Sequence, residues 1–362
     1  MSVIKLGTRG SKLALWQAYF IKETLEKGGL EVEIVIINTK GDQILDRSLS
    51  KIGSKGVFTE ELEEQLRSGA IDIAQHSAKD LQSELADDLE LIAFTEREKV
   101  NDVLVSFDKS LSLESGKPFV VGTSSTRRVA MLKHFYPHIK TVDMRGNLQT
   151  RMGKLESGVC DALLLAYAGV HRMGYMEHVA ELIPTEKFTP AVGQGSVALE
   201  CAVSLDPEKK AKIRELCNHL ETEQQLLAER AFLKRLQGGC SIPVFGLAVS
   251  SKQLAVNSEQ LAVNSKQLAV NSEQLAVNSK QLTVNSEQLA VNSEVTAKNS
   301  SNLITDNCSL LTVTGGIVSL DGSEILKETV SGNNPLELGE ALAEKILSLG
   351  GDKMLAEIKA NL

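Results

Sequence analysis

The first hundred residues alternate between short apolar runs and longer segments with one apolar face. The run SVIKLGT indicates a strand, and SKLALWQAYFIKETLEK has a broad apolar face that stops before Gly28, as a helix C-terminus should. LEVEIVIINT alternates and then becomes continuously apolar, which is typical of a mostly buried strand. VFTEELEEQLRSG puts Phe58, Leu62 and Leu66 on one helical face, and AIDIAQHS is again strand-like. This order predicts an α/β unit whose parallel strands are covered by helices.

The same alternation restarts further along the chain. KPFVVGTSSTRRVAMLKHF through DALLLAYAGV predicts a second α/β unit. Two polar-faced helices follow within 206–237, and the C-terminal part predicts a small α+β unit with a hairpin around Asp321 and Gly322 and a helix in PLELGEALAEKILSLGG. A chain of 362 residues is too long for one ordinary core, so we expect three domains.

One segment does not fit this order. From Ser251 to Asn292 the chain repeats S-(K/E)-Q-L-(A/T)-V-N, and 293–299 is a degenerate further copy. Leu and Val are spaced two and five apart, so they form no single seam on a helix, and an odd period moves them to opposite faces along a strand. We interpret the repeat, within an insertion of about 250–308, as an expanded and mobile segment without a catalytic role.

Composition narrows the class of protein. Apolar residues make up 42% and charged residues 24% of the chain, as in a globular protein, and a net charge of −8 argues against nucleic-acid or membrane partners. The N-terminus lacks a secretory pattern, and no run of eighteen apolar residues occurs. Five widely spaced cysteines without a CxxC pair favour reduced thiols, so a cytoplasmic protein is expected.

The motif GTSSTRR, 122–128, follows an apolar run and precedes a helix. Free backbone N–H groups and the helix dipole would face an anion there, and two arginines would add bidentate carboxylate binding. Helix capping by the hydroxyl residues is the equally plausible alternative for the motif alone. Further arginines follow other strands, and since ligands bind at the carboxyl ends of strands in α/β sheets, these should converge on a polyanionic ligand: Arg9, Arg145, Arg151 and Arg172.

HSAKD, 76–80, also follows a strand. Lys79 is a candidate anion contact, and Asp80 could stabilise a cation formed during a reaction, although helix capping alone would explain an aspartate here. Lys55, flanked by glycines, is a candidate third cation. His134 and His138 are separated by Pro137, which would break the helix needed to join them, so no metal site is expected.

Cys240 lies in LQGGCSIPV. The two glycines leave space around the thiol and Pro243 stiffens the chain after it. A buried structural cysteine is the commoner fate of this residue type. The cleared space favours a thiol that holds a large group.

Eight motifs, in this order, closely resemble the porphobilinogen deaminase (hydroxymethylbilane synthase) family: TRGSKLALWQ, TKGD, GSKGVFTEELE, HSAKD, GTSSTRR, MRGNLQTR, PAVGQG and GGCSIP. The likeness covers about 3–248 and, more weakly, about 310 to the end. It implies two periplasmic-binding-protein-like α/β domains flanking a cleft and a small α+β C-terminal domain. The implied domains are 1–97 with 195–215, 98–194, and 216–362.

The resemblance also implies the chemistry. The family joins four porphobilinogen molecules head to tail with loss of ammonia, then releases linear hydroxymethylbilane with water, in tetrapyrrole biosynthesis. The implied enzyme is a monomer whose dipyrromethane cofactor is bound through a thioether, here on Cys240. Asp80, Lys79 and Lys55 match catalytic positions, and further residues match positions that bind cofactor or substrate carboxylates: Arg9, Ser11, Ser77, Thr123, Ser125, Arg127, Arg128, Arg145, Arg151 and Arg172.

Two other functions remain open at this point. Two α/β domains with an arginine-lined cleft also describe a solute-binding protein or a regulator's effector half, which would not need Cys240. A thiol-redox enzyme using Cys240 is disfavoured because no resolving cysteine lies nearby in the sequence.

Overall fold

The computed structural model describes residues 3–39, 59–239, 241–251 and 310–361. Phe58, Lys55, Cys240 and the repeat after Ser251 lie outside the described residues, so the expectations for them stay predictions. The described residues up to Ala248 and from Thr312 onward form one compact unit.

Thirteen strands occur in the described ranges: β1 Ile4–Arg9, β2 Val32–Ile37, β3 Ile73–Ser77, β4 Leu89–Phe94, β5 Asp102–Val105, β6 Val120–Gly122, β7 Lys140–Val142, β8 Ala162–Ala166, β9 Val179–Leu182, β10 Val197–Ala202, β11 Val244–Ser250, β12 Leu311–Val318 and β13 Ile325–Gly332. The α-helices are α1 Lys12–Lys27, α2 Glu60–Arg67, α3 Thr126–Phe135, α4 Leu148–Glu156, α5 Tyr167–Arg172, α6 Pro207–Cys217, α7 Leu220–Arg235, α8 Pro335–Ile346 and α9 Asp352–Ala360.

The first sheet has the order β2-β1-β3-β10-β4. β1 is parallel to β2 and β3, whereas β10 is antiparallel to β3 and β4. Helix α1 buries Ala18, Ile21 and Leu25 against this sheet, with the spacing of one helical face. The helix ends at Lys27 with Gly28 as its C-cap, as the sequence predicts.

The second sheet has the order β7-β6-β8-β5-β9. β6 is parallel to β7 and β8, and β5 runs antiparallel to β8 and β9. Both sheets thus place the carboxyl ends of their parallel strands at one edge each, where ligands bind in folds of this kind. The predicted α/β class, with two α/β domains, is confirmed.

A third, smaller sheet has the order β11-β12-β13, with α7 and α8 as its helices. The predicted hairpin is confirmed, because Gly322 takes a φ of +76° in the turn between β12 and β13. Gly339 of α8 lies against the backbone of α7 at Phe232. Where the chain leaves β11 and returns to β12, the N–H of Ser251 donates to the carbonyl of Leu310 at 2.9 Å.

The chain passes between the first and second sheets twice. We call residues 95–101, between β4 and β5, the first crossover, and 183–196, between β9 and β10, the second crossover. The two are joined by a backbone hydrogen bond from Glu98 N to Gly195 O at 3.2 Å. Within the described ranges, no helix is both long and apolar enough to cross a bilayer.

Candidate active site

Asp80 ends a short 3₁₀ turn, Ala78–Asp80, that follows β3 directly; we call it the Asp80 turn. Ala78 is buried and anchors the turn by donating its N–H to Ser196 O at 3.0 Å. Lys79 is partly buried, and Asp80 is exposed. The fold therefore holds the backbone of the turn rigidly while it presents the carboxylate to solvent.

A pocket opens beside this carboxylate. Its walls come from the end of β1, the start of α1 and the end of β3, and they include Arg9, Ser11, Gln17, Ser77 and Asp80. Ser11 caps α1 by accepting from Ala14 N at 3.3 Å, and Gln17 Nε2 donates to Ser77 Oγ at 3.0 Å. Three predicted site residues of the first sheet, Arg9, Ser11 and Ser77, thus line one pocket with Asp80.

The loop after β6 is built mainly by its own hydroxyl groups. Ser125 caps α3, accepting from Arg128 N at 3.4 Å, and Thr123 Oγ1 accepts from Ser125 N at 3.3 Å. Ser124 exchanges hydrogen bonds with the backbone of Met144, which fixes the loop after β7. Capping, the alternative that the motif left open, is what these hydroxyl groups do in this structure.

Arg127 and Arg128 are both buried and share one carboxylate. Asp102, fully buried at the start of β5, accepts from Arg127 Nη2 at 2.6 Å and from Arg128 Nη2 at 2.7 Å. The remaining Nη1 groups donate to the carbonyls of Thr189 and Leu164, each at 2.9 Å. The two guanidinium groups hold the pKa of Asp102 well below its usual range, despite the opposing effect of burial.

Sequence reasoning missed Asp102. Its only sequence signal is a charged residue opening the apolar run DVLV, where a charge needs a partner if the strand is buried. Two guanidinium charges against one carboxylate leave the group net positive. The Nε atoms of Arg127 and Arg128 are buried with no hydrogen-bond partner among the described residues, so unused donors remain there.

Three other arginines lie past strand ends of the second sheet. Arg151 Nε donates to Gly146 O at 2.9 Å, and Arg172 Nη2 donates to Gly195 O at 2.8 Å. The Arg172 guanidinium also lies over the Trp16 ring of α1, 5.4 Å from its centroid, so it bridges the two α/β domains. Arg145 lies 3.6 Å from Asp143.

The electrostatics of these groups show that they are close together. Burial lowers the pKa of Lys79 to about 8, with help from the positive charge of Arg128 and against the attraction of Asp80 and Asp102. Burial likewise lowers the pKa of Arg151 to about 10, assisted by Arg128 and Arg145 and opposed by Asp80 and Asp143. Mutual repulsion of cations is relieved when anions bind, so the site is prepared for carboxylates.

The three cysteines that the structure describes are unsuited to covalent attachment of a ligand. Cys160, Cys201 and Cys217 are buried, and burial raises the pKa of each, to about 12 for Cys201 and Cys217. Buried, protonated thiols are poor nucleophiles. In the part of the chain that the structure describes, no group of three or more His, Cys, Asp or Glu side chains is arranged to hold a metal ion.

Comparison with known proteins points to one family. Residues 4–210 match the family model "porphobilinogen deaminase, dipyromethane cofactor binding domain", and 223–267 match "porphobilinogen deaminase, C-terminal domain". A porphobilinogen deaminase of Cytophaga hutchinsonii is 48% identical over 361 residues, covering 99% of this chain and 98% of the relative. One of Desulfosudis oleivorans is 54% identical over 246 residues, covering 68% and 79%.

Among solved structures, the methionine-binding protein MetQ aligns with a TM-score of 0.38 and 17% identity, covering 59% of this chain and 89% of its own. The family models and the near full-length relative agree with the motifs quoted above. The chain therefore belongs to the porphobilinogen deaminase family.

Proposed function

We propose that this chain carries out the reaction of its family at the Asp80 turn, with carboxylates bound by the surrounding cations. The enzyme is a transferase of tetrapyrrole biosynthesis, a hydroxymethylbilane synthase, which joins four porphobilinogen molecules head to tail. The observation that carries the proposal is an exposed carboxylate, Asp80, at the end of a turn anchored by the buried Ala78 and in electrostatic contact with Lys79 and Arg151.

The cations match the charge of the substrate. Each porphobilinogen carries an acetate and a propionate, so a lengthening chain accumulates carboxylates that need guanidinium partners. Arg9 at the end of β1 and Arg145 in the loop after β7 supply such partners, as do Arg151 in α4 and Arg172 at the end of α5. Ser11, Ser77, Thr123 and Ser125 hold the loops between them, as their capping and side-chain hydrogen bonds indicate.

The carboxylate matches the chemistry. When ammonia leaves the aminomethyl carbon of porphobilinogen, that carbon becomes electron-deficient, and a carboxylate fixed nearby stabilises the developing positive charge. The carbon then forms a bond to a pyrrole α-carbon, which gives up its proton. The hydrogen bond from Ala78 N to Ser196 O holds the backbone of the turn that carries this carboxylate.

The residues also fit the family's dipyrromethane cofactor. The buried Nε donors of Arg127 and Arg128, which have no partner among the described residues, are suited to its carboxylates. When bound, the cofactor would supply the pyrrole to which the first substrate is joined. We assign its thioether to Cys240 because GGCSIP matches the family's cofactor motif. The described thiols of Cys160, Cys201 and Cys217 are buried and have raised pKa values, and Cys308 lies outside the motifs that carry the resemblance.

Several further features of the function are proposals of the same kind. Lys55 acts as an additional cation for substrate, and the domains divide at 1–97 with 195–215, 98–194, and 216–362. We also infer a cytoplasmic monomer that acts on a small molecule. The net charge of −8 supports the inference that it has no nucleic-acid or membrane partner.

Intact-protein mass spectrometry with a porphobilinogen assay tests the function. Wild-type protein is expected to carry an adduct of dipyrromethane mass, Cys240→Ser to lack both adduct and turnover, and Cys217→Ala to keep both. Asp80→Asn should keep the native circular dichroism spectrum but lose turnover by about 100-fold or more, because the developing cation loses its counter-charge. An adduct that survives in Cys240→Ser, or an unmodified wild-type protein with full turnover, would refute the proposal.

A further inference from the structure

The motif PAVGQG, 190–195, has no role in the chemistry above, although it is one of the motifs that mark the family resemblance. It forms the end of the second crossover, immediately before β10. Its residues contact three parts of the site: Gly193 lies against the Asp80 turn, Gln194 bonds to Asp102, and Gly195 accepts from Arg172.

The two glycines of the motif permit close backbone contacts. Gly193 has a φ of +78°, and a Cβ there would lie 2.8 Å from the carbonyl carbon of Ala78 and 2.9 Å from the N of Lys79. The second crossover therefore packs directly on the backbone of the Asp80 turn. Gly195, with a φ of +103°, approaches the first crossover at the carbonyl of Glu98 in the same way.

Between these glycines, the side chain of Gln194 is 1% exposed and makes two hydrogen bonds. Its Nε2 donates to Val100 O at 2.7 Å and to Asp102 Oδ1 at 3.0 Å. Both partners are acceptors only, which fixes the amide nitrogen on this side. Its main-chain carbonyl accepts from Arg97 Nε at 2.8 Å, so the residue is held at both ends.

The acceptor Asp102 Oδ1 is also the atom that Arg128 uses. Arg128 Nη2 donates to Oδ1 at 2.7 Å, whereas Arg127 Nη2 donates to Oδ2 at 2.6 Å. Gln194 and Arg128 thus converge on one carboxylate oxygen. Arg128 is in turn the cation with the largest effect on Lys79.

We propose that Gln194 is a positioning residue for the condensation, acting through Oδ1 of Asp102 to hold Arg128 in register with the Asp80 turn on which Gly193 packs. The inference rests on the proposed carboxylate-binding role of Arg128. It gives PAVGQG a function, since one segment sets the distance between the catalytic carboxylate and a carboxylate-binding cation.

A double-mutant cycle tests this link in the full-length holoenzyme. Gln194→Met keeps the side-chain volume and removes the donor, and it should raise KM about tenfold with little change in kcat, because a charged hydrogen bond that positions a binding group is lost. Arg128→Gln leaves Asp102 paired with Arg127, so the variant should fold. The double variant should match Arg128→Gln within about twofold, since Gln194 then has nothing left to position.

A pH profile supplies a readout that a merely structural role would not move. In Gln194→Met the displaced Arg128 repels Lys79 less, so the basic limb of KM should move to higher pH. Asn101→Leu is the matched control, because Asn101 Nδ2 also joins the crossovers, to Ile183 O at 2.9 Å, without touching Asp102. It should lower the melting temperature but leave KM and the basic limb unchanged.

Two outcomes would overturn the proposal in distinguishable ways. If the effects of Gln194→Met and Arg128→Gln multiply, Gln194 does not act through Arg128. If Arg128→Gln leaves KM unchanged, the carboxylate-binding role of Arg128 fails, and the inference fails with it. If the methionine side chain of Gln194→Met destabilises the fold, Gln194→Asn takes its place in the cycle, because the shorter asparagine side chain does not reach Asp102.

Discussion

At the scale of single residues, Lys79 shows how neighbours set a charge. It is partly buried, and desolvation together with Arg128 and Arg127 favours its neutral form, while Asp80 and Asp102 favour the cation. The first group of effects is the larger, so the pKa falls to about 8. Lys79 is therefore the described cation of this site whose charge is most sensitive near physiological pH.

This sensitivity predicts a pH dependence of binding. Below about pH 8 Lys79 is charged and attracts substrate carboxylates; above it the charge is lost, so KM for porphobilinogen should rise. Lys79→Arg keeps its charge at every accessible pH, so the rise in KM should move to clearly higher pH. Steady-state kinetics from pH 6.5 to about 9.5 would show both limbs. If KM still rises near pH 8 in Lys79→Arg, the rise in KM is caused by a group other than Lys79.

The positions of the arginines could be predicted from the sequence, but their partners could not. Their positions after strands could be predicted, because strand ends and charged residues are both local patterns. The partners of Arg127 and Arg128 could not, because Asp102 lies about 25 residues earlier and meets them only when β5 inserts beside β8 in the second sheet. From the sequence, we expected the guanidinium groups of Arg127 and Arg128 to bind only a ligand. In the structure, their Nη atoms donate to acceptors within the protein.

At the scale of elements, the second crossover depends on glycine at position 193. Its positive φ is unfavourable for residues that carry a Cβ, and the space for a Cβ is filled by the backbone of the Asp80 turn. Gly193→Ala should lower the free energy of unfolding by about 2 kcal/mol or more and reduce turnover, because the turn must move. Urea denaturation and the porphobilinogen assay measure both.

Gly153 provides the control for that change. It lies inside helix α4, exposed, and a methyl group added at its Cα would have no atom within 4 Å, so Gly153→Ala should be neutral or stabilising by up to about 1 kcal/mol. If Gly193→Ala and Gly153→Ala lower the free energy of unfolding equally, the contact of Gly193 with the Asp80 turn is unimportant for stability.

Regular elements were the part of the fold that sequence patterns described best. The apolar face of α1, its end before Gly28, and the hairpin at Gly322 each depend on a few neighbouring residues. The crossovers were not predicted, because their conformation depends on contacts between segments about 95 residues apart, such as Glu98 with Gly195.

At the scale of the whole molecule, Glu229 connects three parts of the chain. This fully buried residue of α7 forms a bidentate pair with Arg97 of the first crossover, at 2.6 and 3.1 Å. It also accepts from Gly193 N in the second crossover and Ala248 N in β11, each at 2.8 Å. The small C-terminal sheet and its helix are thereby fastened to both crossovers.

Glu229→Gln should therefore be costly. An amide NH₂ would face a backbone N–H or Arg97, and the buried guanidinium would lose its counter-charge, so we expect a loss of about 3–5 kcal/mol in urea denaturation. Glu223→Gln on the same helix breaks the more exposed pair with Arg214, at 2.7 Å, and should cost less than about 1 kcal/mol. Similar losses in both variants would contradict the importance of the buried position.

The hydrogen bond between Ser251 and Leu310 has a consequence for how this gene can change. The two strand ends that flank the heptapeptide copies are already neighbours, so the ends of the connection are fixed whatever its length. For a chain closed between fixed ends, gaining or losing one seven-residue copy alters the closure free energy by only about 0.1 kcal/mol. If the repeat is the flexible insertion that its sequence predicts, tandem duplication at this junction meets little thermodynamic resistance, and we expect copy number to vary without loss of the surrounding fold.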